Sequence, residues 1–328
     1  MNVTRKLLGL GLALIWSWTN PAVAETTLRA VSMFPDSLVY TQSFLTFVGK
    51  VNDKGKRIVQ IHYVGGPEAL PTGEQAEALR NGVIDMVYGP ASFYPGLVPE
   101  TDALVGSNLT PAEQRQSGGI DLLNEIHQRK MNAYYLAHVD GGLSFHIYLR
   151  DQAPTTADGG IDLTGLKLRA GPFYREFFTA LGAVFVNIPA PEVYTALERG
   201  TVDGIGWTSI GVMDFSWDKH LKTRIDPGFA QTDLSVLVNL DRWRGLDDAA
   251  RALLTEAALA YEQESLAAMQ ALAATEDAEL RRRGIKVVTL ADGPAKDYLA
   301  AFDRSTWQRL KGRDASNYQA LRQRFVRE

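Results

Sequence analysis

The sequence predicts an α/β protein built as two lobes, each a mixed sheet flanked by helices. Three observations carry this. Strand and helix patterns alternate as βαβαβ over residues 27–88 and again over 166–206, an order that asks for parallel strands with helices on their faces. The helix-to-strand junction of the first run, Ala78-Leu79-Arg80-Asn81-Gly82-Val83-Ile84-Asp85, is echoed in the second by Ala196-Leu197-Glu198-Arg199-Gly200-Thr201-Val202-Asp203. The chain has 328 residues, room for two cores at roughly 150 residues per domain.

The elements follow in order. Residues 27–31 read as a strand, and the loop Ser32-Met33-Phe34-Pro35-Asp36 ends it. Residues 37–52 read as a helix, because Leu38, Phe44, Leu45, Phe47, Val48 and Val51 recur at helical spacing. Gly55 closes that unit. Residues 57–64 form a β-branched strand closed by Gly65-Gly66-Pro67. A helix over 72–81 has Gly82 just past its end, and 84–88 is the next strand. In the second half, 166–169 is a strand, and Gly171-Pro172 opens a helix with proline at the favoured first position. Gly182 ends it. A strand over 184–188 leads to a helix opened by Pro191 and closed by Gly200, then to a strand over 202–206. Residues 247–283 are helix formers without a glycine or proline, predicting a helix roughly 55 Å long, about the span of two small domains. It lacks the sustained heptads of a coiled coil. A strand over 286–290 and helical segments near 294–310 and 315–326 complete the chain. With no low-complexity linker, crossing strands and the long helix are expected to join the lobes. Residues 25–145 and 233–272 are expected in lobe I, and 146–232 and 273–328 in lobe II.

Arg5 and Lys6, the uncharged and mostly apolar run 7–18, Pro21, and Ala22-Val23-Ala24 together predict a cleaved signal peptide over 1–24. The apolar run is too short for a membrane span, which takes about 20 residues. Cleavage after Ala24 would leave 304 residues with 32 Lys+Arg against 38 Asp+Glu, a net charge of −6. An acidic chain without a basic block is a poor nucleic-acid binder. The absence of cysteine excludes disulfides, thiolate metal sites and a lipidated cysteine anchor. Export without disulfides points to the periplasm of a Gram-negative bacterium.

Enzyme motifs are scarce. There is no Gly-x-Ser-x-Gly elbow. Gly65-Gly66 lacks both the lysine of a phosphate loop and the dinucleotide glycine spacing. The histidines, at 62, 127, 138, 146 and 220, form no metal-ligand pair by spacing. The expectation is therefore a non-enzyme with no cofactor and no metal. What stands out is an anion constellation. Arg169 ends a strand, and Gly171 starts the next helix. Ligands of parallel α/β lobes gather beyond the C-terminal strand ends, where helix N-termini offer free N–H groups. An arginine fork there can hold a carboxylate through two charge-assisted bonds. By spacing alone, an arginine in this place is more often a surface or ion-pairing residue. Phe34, Tyr88, Phe93, Tyr94, Phe173 and Trp207 gather at the same ends, beside glycine and proline, where a cleft wall competes with ordinary core packing. His146, in Ser144-Phe145-His146-Ile147-Tyr148, precedes the expected crossing into the second lobe; a lone histidine there is more often structural.

The run Gly165-Leu-Lys-Leu-Arg169, then Leu181-Gly-Ala183, then Glu192-Val-Tyr-Thr-Ala-Leu-Glu-Arg-Gly-Thr-Val-Asp-Gly204 resembles the hallmark of TRAP-transporter substrate-binding proteins of the DctP type. The likeness extends over nearly the whole mature chain, including Asn81-Gly-Val-Ile-Asp85 and the long late helix. It implies a periplasmic binding protein fold, type II-like, with the long helix contributing to both lobes. It implies an organic-acid ligand in the interlobe cleft, delivery to the membrane permease subunits, and, as expected here, a monomer. Arg169 matches the family arginine that pins the ligand carboxylate. Elsewhere the chain departs from the sialic-acid-type pattern. Trp207 stands where that pattern has a ligand-touching asparagine. His146 falls near a second family arginine, and Ala190 stands where phenylalanine is frequent. These departures argue for one carboxylate on a flatter or more apolar body, such as a keto, hydroxy or aromatic acid. A receptor for an ABC importer, a sensory receptor and a periplasmic enzyme are the alternatives.

Overall fold

The alternation of strands and helices is realised as two sheets. The fold is that of a computed structural model, which describes residues 25–314 and 316–327. The expected signal peptide lies outside the described residues. The first half of the chain gives β1 (Thr26–Ser32), α1 (Val39–Lys54), β2 (Val59–Gly65), α2 (Thr72–Arg80), β3 (Met86–Pro90), α3 (Asp102–Val105), α4 (Pro111–Gln116), α5 (Gly119–Met131), β4 (Ala133–His138) and β5 (Ser144–Leu149). The second gives β6 (Lys167–Arg169), α6 (Arg175–Ala180), β7 (Val184–Val186), α7 (Val193–Glu198), β8 (Gly204–Thr208), β9 (Thr223–Gln231), β10 (Leu234–Asn239), α8 (Leu240–Gly245), α9 (Asp248–Arg282), β11 (Lys286–Thr289), α10 (Asp292–Arg313) and α11 (Tyr318–Phe325).

The first sheet has the order β2-β1-β3-β10-β4 and the second β11-β9-β5-β8-β6-β7. In each, a parallel βαβαβ half is joined by antiparallel strands: β10 runs against β3 and β4, and β5 runs against β8 and β9. Both sheets are therefore mixed. The chain leaves the first sheet after β4, enters the second at β5, and returns between β9 and β10.

The echoed junctions are near copies. Gly82 and Gly200 take φ of 72° and 69°, the left-handed region that glycine enters without a steric cost. The next N–H closes back five residues, Val83 to the Ala78 carbonyl and Thr201 to the Ala196 carbonyl, both at 2.9 Å. This is the Schellman way of satisfying a helix end. The aspartate then starts the strand. Asp85 Oδ2 accepts the Arg29 N–H at 2.9 Å, and Asp203 Oδ2 accepts the Lys167 N–H at 2.8 Å.

Each sheet is covered on both faces. In lobe I, Phe44, Phe47 and Val51 of α1 and Leu254 and Tyr261 of α9 pack on one face, and Leu79 of α2 and Leu123 of α5 lie on the other. In lobe II, Phe177, Phe178 and Phe302 cover one face, and Val193, Leu197, Trp217 and Leu280 cover the other.

Helix α9 is the long helix expected, with Asp247 capping it through the Ala250 N–H at 2.8 Å. Its 35 residues give a rod of about 52 Å. Buried Glu262 ties it to lobe I, accepting from the His138 N–H at 2.8 Å and from both arms of Arg115. Buried Glu276 ties it to lobe II, accepting from the Gly211 and Val212 N–H groups at 2.9 and 3.0 Å.

The end of the chain packs differently from the expected division. Tyr298 and Phe302 of α10 lie in the lobe II core, but Trp307 and Leu310 of the same helix, with Leu321 and Phe325 of α11, lie in the lobe I core. Helix α10 thus also touches both lobes. Its buried Arg309 grips Asp102 at 2.8 and 2.9 Å and donates to the Phe173 carbonyl at 2.5 Å.

Candidate functional site

A cavity of about 430 Å³ lies where the two sheets present their strand ends to each other. Lobe I lines it with Phe34 and Pro35 after β1, Tyr40 of α1, and Ser92 and Phe93 after β3. Lobe II lines it with Phe145 at the start of β5, Arg169 ending β6, Gly171, Phe173, Tyr174, Ala190, and Trp207 and Thr208 ending β8. Thr232 and Asp233, in the return to lobe I, complete the wall.

The sequence places these groups by simple means. Arg169 pairs with Ile205 across the β6–β8 ladder, so Trp207, two residues on, stands on the same face. The Arg169 guanidinium lies 5.5 Å from the Trp207 ring centre, a cation–π distance. Trp207 is held by the edge of Trp217 at 4.9 Å. Gly206 points the other way. A Cβ there would sit 2.9 Å from the Phe178 ring and 3.1 Å from Tyr174, so its bare backbone lets Tyr174 pack flush to the strand. Phe173 meets Phe145 edge-on at 5.3 Å, and Phe34 meets Phe93 at 5.9 Å. The two lobes touch through the Tyr40 hydroxyl and Thr208 Oγ1, 2.7 Å apart and buried.

The charged groups are few. Arg169 is 6 % exposed. Its Nε donates to the Ile188 carbonyl at 2.8 Å, and no acidic side chain among the described residues pairs with its two Nη groups. Burial disfavours its charged form and shifts its pKa down. Asp233 is the acid of the cavity; burial pushes its carboxyl up to about 6, against the hydrogen bonds from Ser92. Among the described residues no group of three or more His, Asp or Glu side chains is arranged to hold a metal ion, and no helix is long and apolar enough to cross a membrane.

Phe34, Phe93, Arg169, Gly171, Phe173, Ala190 and Trp207, all expected at the cleft, line this one cavity. Four expectations need correction. Tyr94 is buried in the lobe I core, its hydroxyl 3.2 Å from His127 Nε2. Tyr88 does not reach the cavity. It is fully buried, stacked on Phe44 at 4.9 Å and donating to Asp140. His146 does not reach it either. The β5–β9 ladder slips between Phe145 and Ile147, and the His146 ring turns to Asp226 at 2.9 Å and the Ile225 carbonyl at 3.2 Å. Gly171-Pro172 leads first into a short 3-10 turn, Pro172–Tyr174, before the six-residue helix α6. Sequence reasoning missed Tyr40, Phe145, Tyr174 and Asp233. Phe145 adjoins His146 within the pentapeptide already singled out; the other three carried no signal of their own.

Comparison with known proteins places this architecture. The model of the DctP family, described as bacterial extracellular solute-binding protein, family 7, matches residues 34–309. The chain belongs to this family. Within it, a solute-binding protein of Albidiferax ferrireducens is 23% identical over 305 residues, 88% of each chain. A monocarboxylate 2-oxoacid-binding periplasmic protein of Nostoc is 24% identical over 232 residues, 66% of this chain and 61% of the relative. A TRAP transporter solute binding protein from Bordetella bronchiseptica, solved with copurified calcium and picolinate in its active site, superposes with a TM-score of 0.79 at 22% identity over 92% of this chain and 91% of that one. This DctP-family chain therefore shares the two-lobed fold of TRAP solute receptors, as the resemblance implied.

Proposed function

We propose that this protein captures a small monocarboxylic acid in the periplasm and hands it to the membrane permease subunits of a TRAP transporter, working by lobe closure and not by catalysis. The observation that carries this is Arg169: a buried guanidinium facing a largely apolar cavity, with two Nη groups that no acid of the described chain engages. A buried charge is costly unless it is paired and hydrogen-bonded. A ligand carboxylate is the planar, two-oxygen acceptor that fits the fork. Phe34, Phe93, Phe173 and Trp207 would then wall the body of the acid, with Gly171 and Ala190 leaving room beside it. The volume falls within the range of roughly 300–1,000 Å³ usual for small-molecule sites. The names of the Nostoc and Bordetella relatives, one a monocarboxylate binder and one holding picolinate, agree in chemistry.

Ligand favours the closed form only through contacts made there and not in the open form. The Tyr40–Thr208 bond, which joins the lobes across the cleft, is the contact that this reading assigns to the closed form. The test is titration calorimetry of the exported protein against small keto, hydroxy and aromatic acids. Arg169→Ala is expected to weaken binding at least tenfold, about 1.4 kcal/mol. Unchanged affinity in that variant would overturn the assignment.

A further inference from the structure

Arg169 shares its cavity with a buried acid that it does not touch. Asp233 sits in the short return from β9 to β10 and is 2 % exposed. Its position is fixed from three sides. The Ser92 N–H donates to Oδ2 at 2.5 Å, and the Ala91 N–H and Ser235 hydroxyl donate to its carbonyl at 3.0 and 3.2 Å. The Ser92 hydroxyl also hydrogen-bonds the carboxyl, and the side chain lines the cavity; a carboxylate can accept about four hydrogen bonds, so acceptor capacity remains. Tyr174 lines the same cavity. The cavity thus holds two charged groups, a donor fork from lobe II and an acceptor from the lobe I side, among mostly apolar walls.

We infer that Asp233 determines specificity: among the small monocarboxylates that Arg169 holds, it selects those carrying an N–H or O–H donor in addition to the carboxylate. This rests on the carboxylate reading of Arg169. An ionised carboxylate is an acceptor only. A ligand without a donor leaves the remaining carboxylate lone pairs desolvated and unpaired, and sites built to hydrogen-bond a ligand reject the analogue that lacks the group. A second ligand carboxylate in the same place would set two anions together, which disfavours both. The inferred class is therefore a lactam, amino or hydroxy monocarboxylate, with dicarboxylates excluded.

Matched pairs test this by calorimetry at pH 7.5 on the mature chain: 5-oxoproline against its ring-oxygen lactone counterpart, and 2-hydroxyisovalerate against isovalerate, with succinate as the dicarboxylate. The native protein is expected to favour the donor-bearing member of a pair at least tenfold. In Asp233→Asn the Ser92 N–H keeps the side-chain oxygen, so the amide N–H₂ turns to the cavity. The preference is then lost or reversed, and succinate binds more tightly than to the native protein. The native pair comparison needs no variant, so a misfolded Asp233→Asn does not block the test. Equal affinity for both members of each pair, or a preference that survives in Asp233→Asn, overturns the inference. If Arg169→Ala abolishes binding of all these acids while the native protein shows no donor preference, this inference fails and the carboxylate reading stands. If the native protein binds none of them, or Arg169→Ala changes nothing, both fail.

Discussion

Strands β3 and β8 begin alike and end unlike. Each follows a helix closed by a left-handed glycine, and each starts at an aspartate bound to the N–H of the neighbouring strand. Counting from that aspartate, lobe I has Tyr88-Gly89 and lobe II has Gly206-Trp207. The aromatic and the glycine have changed places. Because strand side chains alternate faces, a shift of one residue sends the ring to the opposite side of the sheet. Tyr88 goes inward against Phe44 and Asp140. Trp207 goes to the cavity beside Arg169. The glycine in each strand makes room for a neighbour: a Cβ on Gly89 would lie 2.5 Å from Met33 Cβ, and one on Gly206 would lie 2.9 Å from Phe178. One scaffold thus makes a structural ring in one lobe and a cleft wall in the other.

The strongest way to break this comparison is to impose the lobe I order on lobe II. The pair Gly206→Tyr with Trp207→Gly forces a ring into Phe178 and Tyr174 and removes a well-packed tryptophan. A loss of at least about 4 kcal/mol is expected in denaturant melts, from overpacking plus a large-to-small change. Gly206→Ala alone should cost about 1–3 kcal/mol.

The two aromatics should then separate by readout. Tyr88→Phe strips a donor from buried Asp140, so stability should fall by about 1–3 kcal/mol with ligand affinity held. Trp207→Phe should do the reverse, weakening ligand binding several-fold with a smaller shift in melting temperature. Equal effects of the two on affinity would refute the division of labour.

The smallest effect sharpens the likeness at the strand starts. Burial opposes ionisation of Asp85, but hydrogen bonds from Arg29 and the charge of Arg242 outweigh it and hold its carboxyl below the usual range. A lowered folded-state pKa gives stability that is fully present above the unfolded value of about 3.9 and is lost as pH falls through the folded value. Both arginines are about half exposed, so solvent screens the pair. Asp85→Asn is expected to cost about 1–2 kcal/mol near neutrality and to flatten the fall in stability below about pH 4. Asp203→Asn, which has no arginine partner in the described chain, should cost about 0.5–1 kcal/mol. Chemical denaturation from pH 7 to 2.5 checks both.

Local signals explain what was legible in the sequence. The glycine caps, aspartates and helical spacing fixed the parallel halves of both sheets, and Arg169 and Trp207 came with them as strand ends. Tyr88 was misjudged because position at a strand end was counted but its face was not; comparing its offset from Asp85 with that of Trp207 from Asp203 would have found the difference. His146 depends on a ladder slip against β9 and an aspartate 80 positions along the chain, which no local pattern encodes. Asp233 lines the cavity from the return between β9 and β10, which belong to different sheets. Helix α10 reads as one helical segment, yet it changes lobes partway, from Phe302 to Trp307.

Helix α9 also acts as a ruler. Glu262 and Glu276 grip different lobes from one uninterrupted helix, about 21 Å apart along its axis at 1.5 Å per residue. A helix does not stretch without breaking its own hydrogen bonds, so the two grips form a baseline of constant length. Lobe motion can then change angles but not slide one sheet along the other. A pair of labels beside the two glutamates should keep its separation whether or not acid is bound, while a pair across the cavity mouth should carry the whole change.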